Sequence, residues 1–356
     1  MISSTFTVSL CSDTQAYKMK ICLLFIACCI AIFGCAKDYQ QKETRTEEIV
    51  EKKPIVEHPL SIDYLRSNEF PGSDFEFADA VAHNQHYTKY IVSYLSDGNR
   101  LYAALAVPNR NDSTNTFPAI ILNHGYISPN SYNNTKKYVR YIDFLAKNGF
   151  VVCMPDYRGH GKSEGIPTPP YFTNDYLTDV LNALSSVAKL EYVDTSRIAL
   201  WGHSMGGTLT QQAMVVDTRI KAGVIWGGVV GTYEDIFYTF EEKVPWTRKG
   251  GYIMQKMKEL EDEHGEFSLD NEFWKAISPI AHIREISGPI QLHHARYDPS
   301  VPVEFSIAFA QHMENAEVPV ELYIYNSHDH NIGDPHFEQA MQRSVDFYKR
   351  ILNIKK

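Results

Sequence analysis

The segment "RIALWGHSMGGTLT", residues 197–210, constrains this chain more than any other. An apolar run leads straight into Gly202-His203-Ser204-Met205-Gly206, and a helix is expected to start at once. A strand that turns so sharply into a helix needs glycine on both sides of the turn. Side chains at 202 and 206 would collide with the neighbouring strand and helix. The turn lifts Ser204 Oγ clear of the backbone and leaves the Met205 N–H unpaired at a helix N-terminus, free to meet an oxyanion. A serine in an ordinary glycine-rich turn needs none of this.

The rest of the chain supplies a frame for such a turn. "YTKYIVSYLS" (87–96) and "RLYAALAVP" (100–108) predict two strands joined by Asp97-Gly98, a strong hairpin signal. "PAIILNHG" (118–125) is continuously apolar, as buried parallel strands tend to be. Helix 136–149, strand 150–159, helix 175–190, the strand into Ser204, helix 207–215 and strand 221–228 then follow in turn. Residues 229–280 break the rhythm with an aromatic-rich, mostly helical insertion, read as a lid. Alternation resumes with strand 289–298, helix 303–316 and strand 320–326. A last helix running to Leu352 is expected to have Asp334 as N-cap and Pro335 at its first position. This pattern predicts an α/β fold: a mostly parallel sheet with helices on both faces, the antiparallel pair at one edge, and one catalytic domain over residues 59–356.

Composition narrows the function classes. A formal net charge of −9 stands against nucleic-acid binding, which leaves a basic footprint. No internal repeat suggests a solenoid or propeller. Cys11, Cys22, Cys28, Cys29 and Cys35 crowd the N-terminus, and Cys153 alone lies beyond them, so the body can hold neither a disulfide framework nor a Cys-rich zinc site. Cys153, within "FVVCMPD", reads as a buried, inert thiol.

The N-terminus reads as an address. Lys18 and Lys20 precede an apolar run over residues 21–33. The run is shorter than the roughly 20 residues a membrane span needs, but it suits a signal peptide over residues 1–34, with Met19 a candidate true start. "IFGC" resembles the lipobox of bacterial lipoproteins, which makes Cys35 the expected lipidated residue. Residues 35–58 are polar and charge-rich and read as a flexible tether. The expectation is an exported protein held by its lipids at a membrane of the bacterial cell envelope.

A serine hydroxyl needs a general base, oriented in turn by a carboxylate. In a sheet of this kind the partners follow in the order Ser, Asp, His, each on a loop after a strand. Asp298 stands directly after "PIQLHHARY", whereas Asp262 and Asp270 fall inside the insertion. "YIYNSHDHNI" offers His328 and His330, and the following Asn331 and Ile332 favour His330. A metal reading of His-Asp-His lacks further ligands, so neither metal nor organic cofactor is expected. The second oxyanion donor is expected to be the backbone N–H of Tyr126, after the third strand of the sheet, with Gly125 allowing close approach and His124 bracing the loop. His203, His293 and His294 read as packing or supporting residues.

Over residues 87–352 these motifs resemble the α/β-hydrolase superfamily. "PDYRGHGKSEG", "GHSMGG", "SPIAHIREISGPIQLHHARYDPSVPVEFS" and "ELYIYNSHDHNI" look most like the catalytic domain of the prolyl oligopeptidase family. The resemblance implies a Ser204–Asp298–His330 triad and hydrolysis of esters or amides. Two departures stand out: Ala295 replaces a glycine usual near the acid, and the β-propeller of the family's larger peptidases finds no room here. The first reading is therefore a serine hydrolase of carboxylic esters. The second is a serine peptidase of aminopeptidase or dipeptidyl-peptidase type. The third is an inactive lipid-anchored binding protein, against which the complete set of catalytic groups speaks. Tyr233, Phe237, Tyr238, Phe240, Trp246, Tyr252, Phe273 and Trp274 of the lid are candidates for an acyl pocket or for the lid's own core. Glu234, Asp235, Glu241 and Glu242 could grip a substrate amine or merely face solvent. The sequence leaves oligomeric state open.

Overall fold

Successive residues of the central strands point into two different apolar layers, and this alternation seats the sheet between helices. In β4 (Phe117–Asn123), Ala119 and Ile121 enter one layer while Ile120 and Leu122 enter the other. In β5 (Val151–Pro155), Val151 and Cys153 join the first and Val152 and Met154 the second. The computed structural model describes residues 57–109, 116–168, 171–239 and 251–354. The chain divides into Met1–Lys52 and Lys53–Lys356, and the described residues all belong to the second unit. The signal peptide, Cys35 and nearly all of the tether lie outside them, as do Phe240, Glu241, Glu242 and Trp246.

The other strands are β1 (Glu76–His83), β2 (Tyr87–Ser96), β3 (Asn99–Pro108), β6 (Val193–His203), β7 (Ile220–Trp226), β8 (Ile290–Ala295) and β9 (Val320–Tyr325). They form one sheet in the order β1-β2-β3-β5-β4-β6-β7-β8-β9. β1, β2, β3 and β5 pair antiparallel, and all pairings from β5 through β4 to β9 are parallel. The hairpin closes as expected: Ser96 pairs with Asn99, and Asp97 and Gly98 both take positive φ, 48° and 76°. Two residues of that hand match the twist of the flanking strands.

Helices α3 (Asp175–Ala188), α4 (Met205–Val216) and α7 (Val303–Asn315) cover one face of the sheet. α2 (Val139–Lys147) and α8 (Phe337–Ile351) cover the other. A short α1 (Ile62–Ser67), capped by the Ser61 side chain on the Tyr64 N–H, buries Ile62 and Leu65 against the first layer. The insertion contains a π-helical turn (Asp235–Thr239), α5 (Tyr252–His264) and α6 (Glu272–Ile277), and a 3₁₀ segment (Pro279–Glu285) leads out of it.

Several expectations need correcting. β1 is an additional edge strand, so "PAIILNHG" supplies the fourth strand of the sheet rather than the third. The helix expected from residue 136 starts at Val139, because Tyr138 is held at φ 52°, ψ 15°. Asp334 is not the cap of the last helix. Residues 334–336 form a turn around a cis Asp334–Pro335 bond, His336 caps α8, and the Asp334 carboxylate accepts a 2.7 Å hydrogen bond from Arg140. Among the described aromatics of the insertion, Tyr233, Phe237, Phe273 and Trp274 are buried against Phe172, outside the insertion, and extend the first apolar layer rather than forming a separate core. Tyr238 and Tyr252 are 50% and 59% exposed.

Candidate active site

Ser204 sits where β6 ends and α4 begins, at φ 55° and ψ −120°. Holding a non-glycine residue there costs on the order of 1–3 kcal/mol, and the strain persists because the neighbours over-determine it. The Ser204 N–H donates to the Trp226 carbonyl at 2.9 Å, and its own carbonyl accepts from Gly207 at 2.8 Å and Val229 at 3.2 Å. A methyl group on Gly202 would lie 2.3 Å from the Gly206 oxygen, and one on Gly206 would lie 2.0 Å from the Asn123 oxygen. Both obstacles are backbone, so neither can swing aside. Ser204 is partly exposed, and its Oγ makes no hydrogen bond to the described residues. Such bonds often tighten only when substrate arrives.

Asp298 lies in the turn after β8 with its side chain fully buried. Oδ1 accepts from the backbone N–H groups of Ser300 (2.8 Å) and Val301 (3.0 Å). Oδ2 accepts from His330 Nδ1 at 2.7 Å and lies 3.4 Å from His294 Nε2. Burial alone would raise this carboxyl. The hydrogen bonds from His294 and His330, the charge attraction of His330 and the bond from Ser300 outweigh it and hold Asp298 well below the usual carboxylate range. An anionic partner at Nδ1 fixes the proton of a neutral imidazole there and leaves Nε2 as a lone-pair base.

Gly227 is the floor of this arrangement and was not singled out in the sequence. It follows Trp226, whose carbonyl holds Ser204, and a methyl group on it would sit 3.1 Å from His330 Nδ1 and 3.3 Å from Asp298 Oδ2. Its φ of 51° also favours glycine. The signal was present in "IWGG", but a glycine pair after a strand has many other meanings.

The loop after β4 closes over the nucleophile. A methyl group on Gly125 would approach Ser204 Cβ to 3.0 Å. The Gly125 N–H donates to the Tyr138 hydroxyl at 2.8 Å, so it points away from any substrate. The Tyr126 and Met205 N–H groups have no acceptor among the described residues. His124 is buried beneath this loop, stacked on Tyr157 at 4.1 Å, and its Nδ1–H donates to the Gly125 carbonyl at 2.8 Å. Burial pushes its pKa down to about 3, so it braces the loop as a neutral ring.

His328, Asp329 and His330 diverge. His328 is exposed and stacks on Tyr297 at 4.7 Å, while the Asp329 carboxylate accepts from the N–H groups of Asn331 (2.9 Å) and Gly333 (2.8 Å). Three side chains with three separate partners do not converge on a shared ion. His293 is a core residue bonded to Tyr325 and Gln291. His294 and His203 both touch the candidate machinery. The ring of His203 lies 4.6 Å from that of His330, and burial together with the nearby His330 charge pushes its pKa down to about 3.

Comparison with known proteins finds relatives and structures of the same fold. A bacterial relative, "Uncharacterized peptidase YtmA" of Bacillus subtilis, is 26% identical over 252 residues, covering 69% of this chain and 88% of its own. An acetyl xylan esterase from Paenibacillus sp. R4 superposes with a TM-score of 0.59 at 21% identity, over 81% of this chain and 92% of that one. The acylaminoacyl peptidase of Pyrococcus horikoshii gives a TM-score of 0.59 at 20% identity, over 76% of this chain and 43% of that one. Such likenesses show a shared α/β-hydrolase fold. Because the model of the prolyl oligopeptidase family matches residues 136–355, more than half of the sequence and all of the candidate triad, the chain belongs to that family of serine hydrolases.

Proposed function

We propose that this protein hydrolyses carboxylic esters with small or medium acyl groups through an acyl-enzyme on Ser204. The observation that carries the reading is the 2.7 Å Asp298–His330 bond beside a strained serine elbow. His330 Nε2 takes the Ser204 proton as Oγ attacks the ester carbonyl, and the Met205 and Tyr126 N–H groups hold the oxyanion. Collapse of the tetrahedral species expels the alcohol, which receives the proton from His330. Water, deprotonated by the same nitrogen, then attacks the acyl-serine and releases the acid. Asp298 stays ionised throughout and stabilises the imidazolium.

Two observations favour esters. The likeness to the Paenibacillus acetyl xylan esterase extends over 92% of that chain, so an esterase shares nearly its whole architecture with this protein. The buried lid aromatics are occupied with one another, which favours a short acyl group over a long one. The peptidase reading draws on the family and on relatives named as peptidases. The test is kcat/KM for p-nitrophenyl butyrate and ethyl butyrate against aminoacyl and dipeptidyl p-nitroanilides. Ethyl butyrate turnover well above every anilide supports the proposal, and a dipeptidyl anilide that matches or beats it makes the protein a peptidase.

The leader motif supports a further proposal of place: lipidation at Cys35 holds the mature protein at a membrane of the cell envelope. Cys35→Ser should move it from the membrane fraction to the soluble one. A variant that still sediments with membranes and still takes up palmitate contradicts this.

A further inference from the structure

Tyr138 and His203 take no part in the reaction just described, yet their polar groups join two of its parts. The Gly125 N–H donates to Tyr138 Oη (2.8 Å), and Tyr138 Oη lies 2.6 Å from His203 Nδ1. His203 Nε2 lies 3.2 Å from the main-chain carbonyl of His330. The direction of the chain follows from chemistry. A carbonyl only accepts, so Nε2 of His203 carries the proton. Nδ1 of the neutral ring is then an acceptor, and the Tyr138 hydroxyl donates to it while accepting from Gly125. Each group is used once in each sense, and such chains polarise one another.

The backbone shows what this arrangement costs. Tyr138 stands at φ 52°, the left-handed region that a bulky residue avoids, and it does so at the residue before α2. From there the first turn of α2 reaches the same loop twice more. Tyr141 Oη donates to the Asn331 carbonyl at 3.0 Å, and Arg140 bonds the Asp334 carboxylate at 2.7 Å. Arg140 and Tyr141 thus hold the segment that follows His330 at two points, while Tyr138 holds the loop that carries the Tyr126 N–H and, through His203, the His330 carbonyl.

We infer that Tyr138 and His203 are positioning residues that set the oxyanion loop and the general-base loop against each other across Ser204. The inference rests on the acyl-enzyme reading above. It has a kinetic signature: oxyanion stabilisation and general-base catalysis serve both acylation and deacylation, so both steps suffer together. Ground-state binding of a small ester involves neither.

The test is stopped-flow kinetics with p-nitrophenyl butyrate on the whole protein, with burst amplitude counting active sites, alongside the second-order rate of fluorophosphonate labelling. Tyr138→Phe should slow acylation, deacylation and labelling per active site by roughly 30- to 100-fold, the scale expected of a misplacement near 1 Å, with the substrate dissociation constant within about threefold of wild type. His203→Leu should behave similarly. His203→Gln, whose amide can still donate to the His330 carbonyl, should recover at least tenfold of the His203→Leu loss. Thermal melts check folding. A merely structural role lowers the melting temperature or burst amplitude and leaves the per-site rates of both Tyr138→Phe and His203→Leu within threefold of wild type. That result overturns the inference. If wild-type protein gives neither burst nor labelling, the acyl-enzyme reading itself has failed, and the inference falls with it.

Discussion

Replacing Asp298 with Asn probes the acid without changing its shape. Oδ1 accepts two backbone N–H groups, from Ser300 and Val301, so the asparagine oxygen must stay on that side. Its NH₂ then faces His330 Nδ1, where the wild-type carboxylate oxygen accepts at 2.7 Å. A donor opposite Nδ1 reverses the tautomer: the proton moves to Nε2, and the nitrogen facing Ser204 can no longer accept. In a serine triad this change costs about 10⁴ in kcat, or about 5.5 kcal/mol of barrier at 1.36 kcal/mol per tenfold. His294 adds a second strain, because its Nε2–H, shared with the Val301 carbonyl at 3.0 Å, also comes to face the amide. The assay is kcat for p-nitrophenyl butyrate between pH 6 and 9, normalised to folded protein by circular dichroism. A folded Asp298→Asn variant within tenfold of wild-type kcat refutes both the tautomer reasoning and the assignment of Asp298.

The same carboxylate gives a pH dependence. Its folded-state pKa lies below the unfolded one, near 3.9, so its stabilisation is present above that value and is lost as the pH falls through and below it. The melting temperature of wild-type protein should therefore fall more steeply between pH 5 and 3 than that of Asp298→Asn, and parallel curves would contradict this. His330→Ala should reduce kcat at least about 10⁴-fold, while His328→Ala, an exposed ring stacked on Tyr297, should cost less than about tenfold. The reverse ranking would move the base to His328. Gly206→Ala puts a methyl group 2.0 Å from the Asn123 carbonyl, so β4 and the elbow must separate. Soluble yield or melting temperature should drop markedly, with activity abolished, and a normally stable, active Gly206→Ala would show that the elbow is looser than described.

Local physics made the centre of the fold legible and left its periphery obscure. The elbow could be read because a strand, two obligatory glycines and a helix stand in one short segment, and the Asp97-Gly98 hairpin because its turn type demands those residues. β1 could not. Its pairing with β2 shifts register at Phe77, Ala80 and Ala82, so its side chains do not keep the simple period that marks a strand. The cap of α8 was misplaced because Asp-Pro is a good local start signal, and only the distant Arg140 reveals where the Asp334 carboxylate goes. The site follows the same rule. The candidates Ser204, Asp298 and His330 stand on loops that local sequence marks, and the structure joins Asp298 to His330. Gly227 and Tyr138 act through space on residues far away in sequence, Tyr138 from a backbone conformation that nothing in "TKKYVRY" announces.

The central claim is that one serine, Ser204, is activated by its surroundings to become acylated. Intact-protein mass spectrometry after incubation with a fluorophosphonate, followed by peptide mapping, measures that directly. One adduct per chain is expected, on the peptide containing Ser204, with loss of ester hydrolysis in proportion to labelling and no adduct on Ser204→Ala. Ester turnover that survives complete modification of Ser204, or an adduct that forms on a different residue, would contradict the account.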